Sequence, residues 1–156
     1  MKVLCTNAQD ALSIDESQVE RLVQTFLSWK KVEYKEVSIH FVDMKKISEL
    51  HAYYFQDSSP TDCISFPIDS PEEIDGGYKI LGEVFVCPEV ALEYAQKHHL
   101  SPFKEVSLYI IHGLLHLLGY DDQDPISQGM MHDEEKSAIR YLGQKKALLY
   151  QNECKN

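Results

Sequence analysis

The stretch from Tyr109 to Tyr120 constrains this chain more than any other: it is the longest strongly apolar run, and two histidines interrupt it. It is too short to span a bilayer, so its place is inside the protein. His112 and His116 stand one helical turn and a little more apart, which puts both side chains on one face with ring nitrogens able to converge on a single ion. Spacing alone is weak, since a chain with 7 His in 156 residues holds about 0.3 such pairs by chance. The surroundings add weight. Ile110, Ile111, Leu114, Leu115, Leu117 and Leu118 make this the most apolar helix of the chain, and two titratable rings there need partners. A metal ion satisfies both. The alternative is a hydrogen-bonded pair of core histidines beside an ordinary acidic loop at a helix end.

Between the two rings sits Gly113, a poor helix former that costs roughly 1 kcal/mol against alanine, so something is expected to approach the backbone closely there. Gly119 supplies the left-handed residue that stops the helix, and the reversal carries Tyr120-Asp121-Asp122 back toward the histidines. Asp122 can then complete three protein ligands, His112, His116 and Asp122, leaving a fourth position for water, as catalytic zinc sites do. An ion there would lower the pKa of its water toward 7. His132, the softer donor, lies in a separate acidic helix segment and is not expected to be a ligand. A zinc peptidase would carry glutamate at the position of Gly113. Asp121 is either a proton acceptor or a locally hydrogen-bonded helix-end residue, and no general base is assigned.

The rest of the chain bounds the reading. With 156 residues, 44% of them hydrophobic, residues 1–156 are expected to form a single domain with a real core. Fifteen Lys+Arg against 25 Asp+Glu give a net charge of -10, which repels a polyanion at long range and counts against indiscriminate nucleic-acid binding. Only Arg21 and Arg140 offer a guanidinium. Cys5, Cys63, Cys87 and Cys154 form no CxxC pair, and reduced thiols in a cytoplasm fit them best. The N-terminus MKVLCTNAQD is unlike a signal peptide, and no membrane association is expected.

Periodicity predicts a helix from about Asp15 to Trp29, with the capping-box pattern Ser13-Ile14-Asp15-Glu16 before it. It predicts a half-buried strand over Glu36 to Val42, its Val37, Ile39 and Phe41 inward and His40 toward solvent. A second helix carries Met44, Ile47, Leu50 and Tyr54 and ends before Pro60. Cys63 to Ile68 and Tyr78 to Cys87 read as strands, Gly82 marking a bulge or a close approach, with a surface loop over 69–77 between them. Helices from Pro88 to about His98, from Ser101-Pro102 to Gly119, and from Asp124-Pro125 onward follow, the last carrying Met131, Glu135, Ile139 and Leu142 and fraying near its end. The order βαβαββααα implies an α+β fold, a small mixed sheet of about four strands covered by five or six helices.

His112-Gly-Leu-Leu-His-Leu-Leu-Gly-Tyr-Asp-Asp122 resembles the YbeY signature HGxLHLxGYDH and departs from it at the last position. Pro60-Thr-Asp-Cys-Ile-Ser-Phe-Pro67 is similar to that family's PTDVLSFP, and Leu81-Gly82-Glu83 to its LGD, so the resemblance covers roughly Leu50 to Leu142. It implies a four-stranded mixed sheet, one Zn2+ ion, and single-strand-specific cleavage of RNA in late maturation of the small-subunit ribosomal RNA 3′ end and in ribosome quality control. Implied partners are ribosomal RNA, the small subunit, one of its proteins and an assembly GTPase. Three positions depart. Asp122 replaces the family's third histidine, and with two imidazoles and a carboxylate iron or manganese also suits the site. Phe55 falls where the family has an arginine that would stabilise phosphate charge, with Lys45 or Lys46 as stand-ins. Glu83 replaces the Asp of LGD, either to hold a ligand from behind or to cap a strand. Two rival readings remain: a non-catalytic ribosome-assembly factor stabilised by metal, and a metal hydrolase of another substrate.

Overall fold

The computed structural model describes residues 1–69 and 77–152, in the order β1 (Lys2–Ala8), α1 (Glu16–Trp29), β2 (Glu36–Val42), α2 (Met44–Phe55), β3 (Cys63–Pro67), β4 (Ile80–Val86), α3 (Pro88–His98), α4 (Pro102–Leu117) and α5 (Pro125–Gln144). The four strands form one mixed sheet in the order β1-β2-β4-β3. β1 and β4 run parallel to β2, and β3 closes the sheet antiparallel to β4. This is the α+β architecture that the alternation of periods predicts. The expected loop over 69–77 lies, except for its two ends, outside the described residues, as does Cys154.

Strand alternation divides the sheet into two faces. Val37, Ile39 and Phe41 of β2 and Val84 and Val86 of β4 point to one face, where Val19, Leu22, Val23 and Phe26 of α1 and Ile110, Ile111, Leu114 and Leu115 of α4 bury them completely. On the other face, α2 uses Ile47 to cover Val42, Ile64 and Cys87 in a smaller cluster. Only that one residue of α2 is fully buried; Leu50 is half-buried and Tyr54 is exposed, so the apolar stripe predicted for this helix is shallower than its spacing implied.

Helix ends follow their side chains. The cap of α1 is Asp15, which accepts from Ser17 N at 2.9 Å, and not Ser13. Asp124 caps α5 through Ser127 N, with Pro125 in the first turn. Helix α5 stops at Gln144, well short of the C-terminus. Lys145 closes the helix, and the chain then returns to the core, where Ala147 and Leu149 are buried and Leu149 N donates to Ser107 Oγ at 2.9 Å.

Candidate metal centre

Two glycines let α4 lie hard against the sheet. A Cβ on Gly113 would collide with Val84 of β4 and come within 3.2 Å of Ser65 Oγ, which itself donates to the Gly113 carbonyl at 2.9 Å. The close neighbour expected at Gly113 is therefore strand β4. Gly82 has φ +153° and sits in a bulge, where β2 pairing slips between Glu36 and Ser38; a Cβ there would meet Phe66 O, and Leu117 Cδ2 at 2.8 Å. These contacts fix the height at which α4 presents its histidines.

Helix α4 ends in a Schellman motif: Gly119, at φ +101°, donates to His116 O at 3.0 Å and Tyr120 N donates to Leu115 O at 3.0 Å. The reversal aims the Tyr120 carbonyl back at His116, whose Nδ1 lies 3.0 Å from it. A carbonyl can only accept, so Nδ1 carries the proton and Nε2 is left with its lone pair. His112 is held the same way from α5, its Nδ1 lying 2.5 Å from Glu135 Oε1, an acceptor-only carboxylate. The two Nε2 atoms face each other at hydrogen-bond distance, 3.1 Å, so in the metal-free protein a proton on one ring bridges them, and with that proton removed both offer lone pairs to an ion. Asp122 Oδ2 lies 3.5 Å from His116 Nε2 and 3.7 Å from His112 Nε2.

One ligand atom from each of His112, His116 and Asp122 thus lies within 4.8 Å of the others, an arrangement that a proton or a metal ion stabilises. The donor set fits a divalent transition metal: two imidazole nitrogens and a carboxylate oxygen, both imidazoles with the remote N–H occupied, as in protein zinc sites. In the metal-free state burial opposes charge on His112, yet the hydrogen bond and charge of Glu135, with Asp62 and Asp122, outweigh it and raise the pKa.

His112, His116 and Asp122 are thus brought together as the spacing required, while His132 is exposed and stands apart from the group. Glu135 is the residue that sequence reasoning missed as part of the site. It stood in the apolar stripe of α5, and a carboxylate at an inward position of an amphipathic helix is the signal that would have found it. Asp121 Oδ1 accepts from Asp122 N at 2.7 Å and Gln123 N at 3.1 Å, the local role. Glu83 turns to the opposite face of the sheet, 3.0 Å from His40 Nε2, and takes no part in holding the ligands. His40 is correspondingly half-buried, stacked on Phe85 at 4.6 Å, and not the solvent-facing residue expected.

The ligands open into a cavity of about 440 Å³ at the edge strand β3, walled by His51 and Phe55 from the end of α2, Thr61 to Ser65, and Asp121 to Gln123. No Lys or Arg lines it among the described residues. Lys45 and Lys46, the expected stand-ins for a cation beside the metal, sit at the opposite end of α2. Cys63 also faces this space, but burial, then the charge of Asp62, holds its thiol well above the usual range, so it stays protonated.

A small mixed sheet backing a helix with two imidazoles beside a following carboxylate makes this an α+β protein with a candidate metal centre on α4. Its lineage is narrower: residues 4–143 match the family model described as Endoribonuclease YbeY, and the chain belongs to that family. It is 43% identical over 145 residues to the Endoribonuclease YbeY of Protochlamydia amoebophila, covering 93% of this chain and 94% of the relative. Against the Endoribonuclease YbeY of Chlamydia trachomatis serovar D the identity is 37% over 149 residues, covering 95% and 92%. A solution structure of a Thermotoga maritima protein shares the fold, with a TM-score of 0.63 at 22% identity and coverage of 94% and 93%.

Proposed function

We propose that the chain is one metal-dependent hydrolase domain that cuts single-stranded RNA, and that it acts in ribosomal RNA maturation and ribosome quality control in the cytoplasm. The observation that carries this reading is the paired orientation of His112 and His116: each has Nδ1 fixed by an acceptor so that Nε2 is presented beside the Asp122 carboxylate. That geometry supports a ligand role, because a metal ion can take the place of the proton between the two Nε2 atoms. His112, His116 and Asp122 hold the ion, for which zinc suits the donors and iron or manganese is the alternative. The bound ion supplies Lewis acidity toward a phosphodiester. Glu135 and the Tyr120 carbonyl keep both rings in register, and Ser65 and Val84 keep α4 at its height above the strands. The family name supports RNA as the substrate. Ribosomal RNA, the small subunit, one of its proteins and an assembly GTPase are the partners in this reading. No helix among the described residues is long and apolar enough to cross a membrane.

The test is cleavage of a single-stranded oligoribonucleotide by the purified protein. Cleavage should disappear with a chelator, return with added zinc or manganese, and be absent in His116→Ala. Ribosome association without any cleavage by the wild type would favour the metal-stabilised assembly factor instead.

A further inference from the structure

We propose that Phe55, with His51 beside it, is a stacking wall for an unpaired nucleobase of the RNA at the metal cavity. The proposal rests on the RNA-cleaving reading above and adds how the substrate is gripped. Helix α2 ends in three consecutive exposed aromatics, Tyr53, Tyr54 and Phe55, with Phe55 56% exposed. Contacts with other tyrosine and phenylalanine rings account for two of them: Tyr54 lies against Phe66 of β3 at 4.8 Å and Tyr53 against Tyr54 at 4.8 Å. Phe55 instead turns into the cavity that holds His112, His116 and Asp122, with its ring 5.5 Å from that of His51.

This wall is held in place. His51 Nδ1 donates to the Ser59 carbonyl at 2.9 Å, Gln56 ends the helix in the left-handed conformation, and Ser59 N and Oγ both donate to Asp57 Oδ1 at 2.9 and 2.6 Å. The turn after α2 is thus tied to the His51 ring, against which the Phe55 ring packs. An aromatic side chain has few rotatable bonds and loses little entropy when a flat partner settles on it.

Charge decides what that partner contributes. The cavity carries Asp62, Asp121 and Asp122 and no Lys or Arg among the described residues, on a chain of net charge -10. Apart from the ion of the RNA-cleaving reading, no cationic group among the described residues of the cavity is there to grip a phosphate. Stacking on an aromatic face needs no positive charge and tolerates any base, because every base has a π-face. The cavity, of about 440 Å³, is within the range of small-ligand sites, so one extruded base fits beside the metal. Duplex RNA keeps its bases stacked and cannot offer one, which would make Phe55 a determinant of single-strand specificity.

The experiment uses the metal-loaded protein and a single-stranded oligoribonucleotide carrying 2-aminopurine, beside the same oligonucleotide with an abasic residue at that position. Wild type should quench the 2-aminopurine fluorescence on binding. Phe55→Leu should lose the quench and weaken RNA engagement about fivefold to a hundredfold, read as KM with kcat changed less, while Phe55→Trp restores both. The abasic penalty seen in wild type should vanish in Phe55→Leu. Metal content equal to wild type in both variants shows that fold and metal centre are intact. A Phe55→Leu protein with wild-type KM, quench and abasic penalty overturns the stacking wall and leaves the RNA-cleaving reading standing. A wild type that neither binds nor cleaves either oligonucleotide sinks both.

Discussion

Two histidine–glutamate pairs sit on opposite faces of the same sheet, and they are wired differently. On the face covered by α4, His112 gives Nδ1 to Glu135 and keeps Nε2 for the cleft, where it meets His116 and Asp122. On the other face, His40 has both nitrogens engaged, Nδ1 at 2.7 Å from Thr6 Oγ1 and Nε2 at 3.0 Å from Glu83 Oε1, with its ring on Phe85. The same two residue types thus build an open donor in one place and a closed cross-strand ladder in the other. A histidine suits a metal when one nitrogen is fixed by an acceptor and the other faces a second imidazole and a carboxylate that an ion can bridge; His40, held between a hydroxyl and a carboxylate, has no such set.

The sharpest way to break this comparison is to remove each glutamate. Glu135→Gln should weaken metal affinity about 10- to 100-fold, because the His112 ring loses the carboxylate that fixes its tautomer. Glu83→Gln should leave affinity unchanged. Competition titration against a chromophoric chelator measures both, and equal losses in the two variants would erase the distinction between the faces.

A smaller effect tests the support beneath the open site. Gly113→Ala adds a methyl group where Val84 already stands, so α4 must shift or β4 must give way. Overpacking outweighs the gain in helix propensity, and a net loss of about 1–2 kcal/mol is expected in urea denaturation of the metal-free protein. A more stable variant would mean that α4 is not wedged against the strand. Smaller still is the closed ladder, where Thr6→Val should cost about 1 kcal/mol or less and leave metal content untouched.

The smallest effect is acid stability remote from both faces. Hydrogen bonds from the Ser17 and Asn152 side chains, and from Ser17 N, hold the Asp15 carboxyl down at about 2. Its folded pKa lies below the unfolded value of about 3.9, so its contribution is fully present above that value and is lost as pH falls through about 2. Asp15→Asn should flatten this part of the Tm-against-pH curve, and an unchanged slope between wild type and variant would contradict it.

Much of this was legible in the chain because it is local. The spacing of His112 and His116, the stop at Gly119 and the cap at Asp124 are all decided within a few residues, and the structure has α1, β2, α2, β3, β4, α3, α4 and α5 close to where period and punctuation put them, while β1 at Lys2–Ala8 carries no such signal. What escaped was set by pairing across the sheet. Glu83 and His40 differ from Val84 and Ile39 only in strand parity, and which face receives a metal depends on which helix covers it. Glu135 escaped for a related reason: its partner is 23 residues away on another helix, and no local pattern links them. Phe55 was placed against the resemblance as a loss of charge, whereas its wall position emerges only once α2 lies beside β3.

The central claim is that His112, His116 and Asp122 hold one ion together, and metal content tests it most directly. Protein purified without added metal and then equilibrated with zinc should hold one ion per chain in the wild type, and little or none in His116→Ala and Asp122→Ala, while His40→Ala keeps a full complement. A wild type that takes up no zinc, iron or manganese, or a His116→Ala protein that retains a full equivalent, would contradict the account.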